Sequence, residues 1–100
     1  MNQFFEDLGL LWKRAAERRN ARIEAPSLDA RVALELLELA RVAAHTRERR
    51  FAPLSCFMAG VAAERLHAAS PGLDGSAMAA FILEVRQELE SQTPAATNER

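Results

Sequence analysis

Four prolines, Pro26, Pro53, Pro71 and Pro94, cut this chain into segments whose apolar residues recur every three or four positions. Proline breaks a helix interior but is tolerated at its start, so each one marks a connection. The segments between are of helix length. Val, Ile and Thr together supply only nine of the 100 residues and Tyr none, while Ala, Leu, Glu and Arg dominate. That mixture suits helices and starves strands. The expected class is all-α, a compact four-helix bundle with a central apolar third helix.

The four helices are expected at about residues 2–21, 27–46, 53–69 and 75–91, in one domain over 1–93 with a polar tail at 94–100. Asn2 is a good N-cap for the first helix, whose Phe4, Phe5, Leu8, Leu11, Trp12, Ala15 and Ala16 share one face. Arg14, Arg18 and Arg22 line up beyond it at i, i+4. Ser27 reads as the N-cap of the second helix. There Val32, Leu36, Leu39 and Ala43 form a stripe widened by Leu37, Ala40 and Ala44. Arg31, Glu35, Glu38, Arg41 and His45 fall opposite. The third helix has Pro53 in its first position, where the missing N–H costs nothing. It is apolar around most of its girth, so it is expected to be the most buried element, with Leu54, Phe57, Met58, Val61 and Leu66 in the core. Gly60 in its interior implies close approach of a neighbouring helix. The fourth helix starts near Asp74–Ser76 and shows Met78, Phe81, Ile82, Val85 and Leu89 as its face.

Thirteen Lys and Arg against fourteen Asp and Glu give a formal net charge of −1. That balance excludes a strongly basic domain built to coat nucleic acid, and no specific nucleic-acid binding is expected. The longest apolar run, Phe57–Ala63, is far too short to span a membrane. Acidic Glu6 and Asp7 precede the basic residues, the reverse of a secretory signal. Cys56 stands alone, so the chain has no intrachain disulfide, and a cytoplasmic location is expected.

Candidate sites are few. His67 with Glu64 three residues before it offers two metal ligands where four are the norm, and reads as a cation at a helix C-terminus. No metal and no cofactor are expected. Cys56 near a helix start is either a thiol of lowered pKa or a small buried hydrophobe, the commoner use. The basic stripe Arg14, Arg18, Arg22 reads as a solvated face. The stretch from His45 to Ser55 is richer. His45 ends one helix, Arg47, Arg49 and Arg50 follow, and the next helix then presents the amides of Leu54, Ser55 and Cys56. Helix amino ends attract anions, and guanidiniums reinforce them. His45, Arg49, Arg50, Leu54 and Ser55 are therefore anion- or ligand-binding candidates. The same residues equally serve to cap two helices and solubilise the turn.

The run Leu39–Ala40–Arg41–Val42–Ala43–Ala44–His45, then Arg49, then Ala52–Pro53–Leu54–Ser55–Cys56–Phe57–Met58–Ala59–Gly60–Val61–Ala62–Ala63 resembles a small helical domain of unknown function of actinobacterial type. Its pattern reads LAR-x-x-AH, an Arg four residues on, then APLTTFL-x-G-x-AA. The resemblance follows the order of elements over about residues 28–90 and is specific over 39–63. Ser55–Cys56 stands where the pattern has Thr–Thr, and Glu64 where it has Gly. That domain is found alone or fused to molybdenum cofactor guanylyltransferases, the molybdopterin-guanine dinucleotide biosynthesis proteins. The resemblance implies a non-catalytic accessory or interaction domain associated with molybdenum cofactor guanylylation. The guanylyltransferase itself needs a Gly-rich phosphate loop, which this sequence lacks, so catalysis is not expected. The alternative is a small anion- or nucleotide-binding module at the start of the third helix, with His45 and Arg49. A protein partner is expected, either a nucleotidyltransferase or a second copy in a two-fold dimer, because so apolar a third helix leaves surface that wants covering.

Overall fold

The computed structural model describes residues 2–92. They form four helices and no strand: α1 (Gln3–Glu17), α2 (Ala30–Thr46), α3 (Phe51–Ala69) and α4 (Gly75–Ser91). The all-α class follows from the composition as expected. The tail at 94–100 lies outside the described residues. The chain gathers into two compact units, Met1–Ala30 and Arg31–Arg100.

In the first unit, the Asn2 side chain accepts a hydrogen bond from the Phe5 amide and caps α1. The helix ends at Glu17, four residues earlier than the apolar spacing suggests. Asn20 adopts a left-handed φ of 60°. The Ala21 amide bonds back to the Ala16 carbonyl and the Asn20 amide to that of Glu17. This is the pairing of a Schellman stop, with Asn in the position Gly usually takes. Arg22 is therefore beyond the helix, and the stripe Arg14–Arg18–Arg22 is not a continuous helical face. The chain then folds back along α1. The Pro26 backbone carbonyl sits against Gly9, where an added Cβ would collide with its oxygen. Gly9 is accordingly the buried residue of this helix.

The second unit is built on α2. Leu39, Val42 and Ala43 are its buried residues, and Ile82 of α4 joins them. The stripe read from the sequence is thus correct in its centre and too wide at its margin. Leu37, expected to broaden it, is 67% exposed. Ser27 does not cap α2, which begins three residues later at Ala30. Asp74 does cap α4, accepting from the Ala77 amide at 2.9 Å.

Glu35 was expected on the polar side of α2, yet it is only half-exposed and bonds Arg86 of α4 at 3.3 Å. Arg86 also reaches Glu90 at 3.3 Å, and its buried Nε has no partner among the described residues. A partly shielded guanidinium needs its carboxylate more than an exposed one does. Arg41 bridges the same two helices more loosely, with Glu38 at 3.0 Å and Glu90 at 3.7 Å.

The burial of α3 is the main correction to the sequence reading. No residue of α3 is buried, and Leu54, Phe57 and Met58 are each more than 60% exposed, while Val61 and Leu66 are half-buried. Its inner side, with Cys56, Ala59 and Ala62, meets the rest of the unit. Its outer side carries further apolar residues that nothing in the unit covers. A helix apolar all round needs packing on every side, and three helices supply it on one side only. Gly60 likewise has open space: a Cβ there meets nothing within 4 Å.

The two helical glycines therefore respond oppositely to alanine. Gly60→Ala is expected to stabilise the isolated chain by about 0.5–1 kcal/mol, the ordinary helix-propensity gain. Gly9→Ala is expected to destabilise it by about 1–3 kcal/mol, because the clash with Pro26 outweighs that gain. Urea unfolding of the two variants at low protein concentration measures both, and equal signs would contradict the packing described.

Candidate functional site

The turn between α2 and α3 is where the sequence places an anion. In the structure α3 begins at Phe51, two residues before Pro53. The Phe51 amide donates to the Glu48 carbonyl at 2.9 Å and the Ala52 amide to that of Arg49 at 3.1 Å. Pro53 has no amide to offer. The amides of Leu54, Ser55 and Cys56 thus fall inside the helical ladder instead of standing free. The turn residues build the first turn of the helix themselves, which is why it starts early.

The five candidate residues are not gathered in one place. His45 is exposed in the last turn of α2. Arg49 and Arg50 are exposed in the turn, and Arg50 pairs with Glu48 at 2.7 Å. Leu54 points to solvent, whereas Ser55, a third of a turn away, faces inward. Among the described residues no group of three His, Cys, Asp or Glu side chains is placed to hold a metal ion.

What the structure adds is a groove. It lies between α3 and α4 over α2, encloses about 350 Å³, and is walled by Leu39, Ala59, Ala62, Phe81, Ile82 and Leu89. Met58 and Val85 stand at its edge, both mostly exposed, and Ser55, Glu88 and Gln92 are its polar members. None of His45, Arg49 or Arg50 contributes to it. The sequence placed Leu39 in the apolar stripe of α2 and Phe81, Ile82 and Leu89 on the apolar face of α4. The signal it held for a groove was the shortage of bulk along the inner side of α3, where Ser55, Ala59 and Ala62 face the larger Phe81, Ile82 and Leu89. Small residues opposite large ones leave a trough when no further helix fills it. An apolar trough with few polar groups suits an apolar side chain or ligand.

Cys56 does not line this groove; its thiol is 3.6 Å from the Leu36 carbonyl of α2. Partial burial pushes the thiol pKa up, so Cys56 is a half-buried small apolar residue and activation by the helix start does not fit.

The family comparison bears on the whole of this arrangement. The model of a domain of unknown function, DUF6457, matches residues 7–98. The chain belongs to the DUF6457 family. No curated protein and no solved structure matched it. The match takes in α2, α3 and α4 entire and all but the start of α1, so the groove and the α2–α3 turn both lie within the family domain. No helix among the described residues is long and apolar enough to cross a membrane.

The state of Cys56 gives this family member a simple chemical signature. Its alkylation by iodoacetamide is expected to be slower at pH 7 than that of a free thiol, and to rise about tenfold per pH unit through pH 8.5 without levelling. A rate that plateaus below pH 7.5 would show a stabilised thiolate and contradict the burial effect.

Proposed function

We propose that this DUF6457 domain is a non-catalytic interaction module that takes an apolar segment of a partner protein into the groove between α3 and α4. The observation that carries this reading is the groove itself, apolar along its length, open to solvent, and edged by the exposed Met58 and Val85. Helix-in-groove docking uses such a surface, with one apolar anchor per turn of the incoming segment. The partner we propose is a molybdenum cofactor guanylyltransferase. Support for that choice is the resemblance of Leu39–Ala63 to the domain found fused to such enzymes. The single cysteine, which allows no intrachain disulfide, supports the cytoplasm as the place where the two meet.

A second reading keeps His45, Arg49, Arg50, Leu54 and Ser55 as a small anion- or nucleotide-binding module. In its favour, Arg49 and His45 are exposed at the same turn and neither makes an ion pair among the described residues. Against it, α3 starts at Phe51, so the Leu54 and Ser55 amides fall inside the helix, and Ser55 faces the groove. The first reading accounts for more of the surface.

Calorimetric titration of the chain with a guanylyltransferase separates the two. Micromolar binding is expected, weakened at least about tenfold by Val85→Asp and unchanged by Leu34→Asp, whose side chain is exposed away from the groove. No heat with the enzyme would refute the partner, and equal effects of the two variants would refute the groove. Saturable binding of phosphate or a guanine nucleotide, lost in Arg49→Ala, would instead support the second reading.

A further inference from the structure

We infer that the outer side of α3 is an interface between two copies of this chain, packed antiparallel about a two-fold axis, with Phe57 of each copy seated in a hole on the other. A shallow depression runs along that side, bordered toward α2 by Cys56 and lined by Phe57, Gly60, Val61, Glu64, Arg65 and Ala68. Val61, Glu64, Arg65 and Ala68 stand at i, i+3, i+4 and i+7. That is the four-residue set that receives one knob in knobs-into-holes packing. Phe57 sits one turn before the hole and is 73% exposed. Its side chain leans toward the amino end of α3, as helical side chains do, and so away from the hole on its own helix.

A knob and a hole offset along one helix are filled reciprocally by a second copy running the opposite way. The midpoint between Phe57 and the centre of the hole falls at Gly60–Val61, which places the axis there. Two other features agree with it. Gly60 weakens the helix and has nothing within 4 Å of its Cβ position in the single chain. At a two-fold axis its lack of a side chain lets the two backbones come close. Charge also chooses the direction. Arg47, Arg49 and Arg50, all exposed, outnumber Glu48, which pairs with Arg50, and leave the amino end of α3 net positive where the helix dipole is already positive. The carboxyl end offers the negative pole and the exposed Asp74, with Glu64 offsetting Arg65 and His67 formally neutral. Parallel packing would set like beside like, whereas antiparallel packing sets the arginines of one copy against the negative end of the other. Arg65 on the rim of the hole then lies against the seated ring, a favourable cation–π geometry.

The α3–α4 groove opens on the other side of this helix, and no outside partner enters the experiment below. The interface and the proposed function therefore succeed or fail separately. Sedimentation equilibrium of the full chain and of Phe57→Asp, with oxidation of Val61→Cys in a Cys56→Ala background, tests it. The full chain is expected at twice its 11.1 kDa mass at micromolar concentration. Phe57→Asp is expected to keep its helical circular dichroism and to weaken dimerisation at least about 30-fold, the loss typical of a central aromatic anchor. Val61→Cys is expected to form a disulfide-linked dimer, because the two positions meet at the axis. A full chain that stays at 11.1 kDa overturns the inference. So does a Phe57→Asp chain that dimerises as tightly as the parent, or a dimeric Val61→Cys chain that does not cross-link.

Discussion

The second unit depends on burial along one stripe of α2. Leu39, Val42 and Ala43, with Ile82 from α4, are the hydrophobic side chains most fully removed from water. So small a set sets the terms for everything around it. The helices that flank α2 need only one apolar side each to complete it. Apolar residues on any other side have nothing within the described residues of this unit to meet. The Glu35–Arg86 pair works in the same place, tying α4 to α2 beside the buried stripe where water is scarce.

The excess falls on α3. Its inner side is made of small residues and forms one wall of a trough, while its outer side carries Leu54, Phe57 and Val61. Both surfaces follow from one property of the sequence, a helix without a polar face. In a larger domain such a helix would be the centre. Here the unit leaves both surfaces open, a partner segment on the inner groove and a second copy on the outer side being the two occupants proposed. Gly60 is consistent with this: the helix tolerates a weak residue at a place where closeness to a neighbour would repay it.

Much of the fold was legible because it is set by local rules. Asn2 and Asp74 act as caps as their chemistry suggests, and the central stripe of α2 is where the three-and-four spacing puts it. The misreadings share one cause. Spacing identifies a face but not whether anything packs on it, so α3 was expected in the core when its residues are exposed. Boundaries shifted where backbone bonds outvoted a marker residue: Asn20 stopped α1 early, and the Glu48 and Arg49 carbonyls started α3 before Pro53. With α3 starting at Phe51, the Leu54, Ser55 and Cys56 amides on which the candidate anion site was built fall inside the helix. The Glu35–Arg86 pair, 51 residues apart in sequence, carried no local signal at all.

The central claim is that α2 and Ile82 hold the unit together while the outer side of α3 does not. The most direct measurement is urea unfolding of Ile82→Ala and Leu54→Ala, at a concentration low enough for the chain to be monomeric. Ile82→Ala is expected to lose about 2–4 kcal/mol, the cost of emptying a buried site. Leu54→Ala, with its side chain 62% exposed, is expected to lose less than about 1 kcal/mol. A Leu54→Ala loss equal to or larger than that of Ile82→Ala would contradict the account.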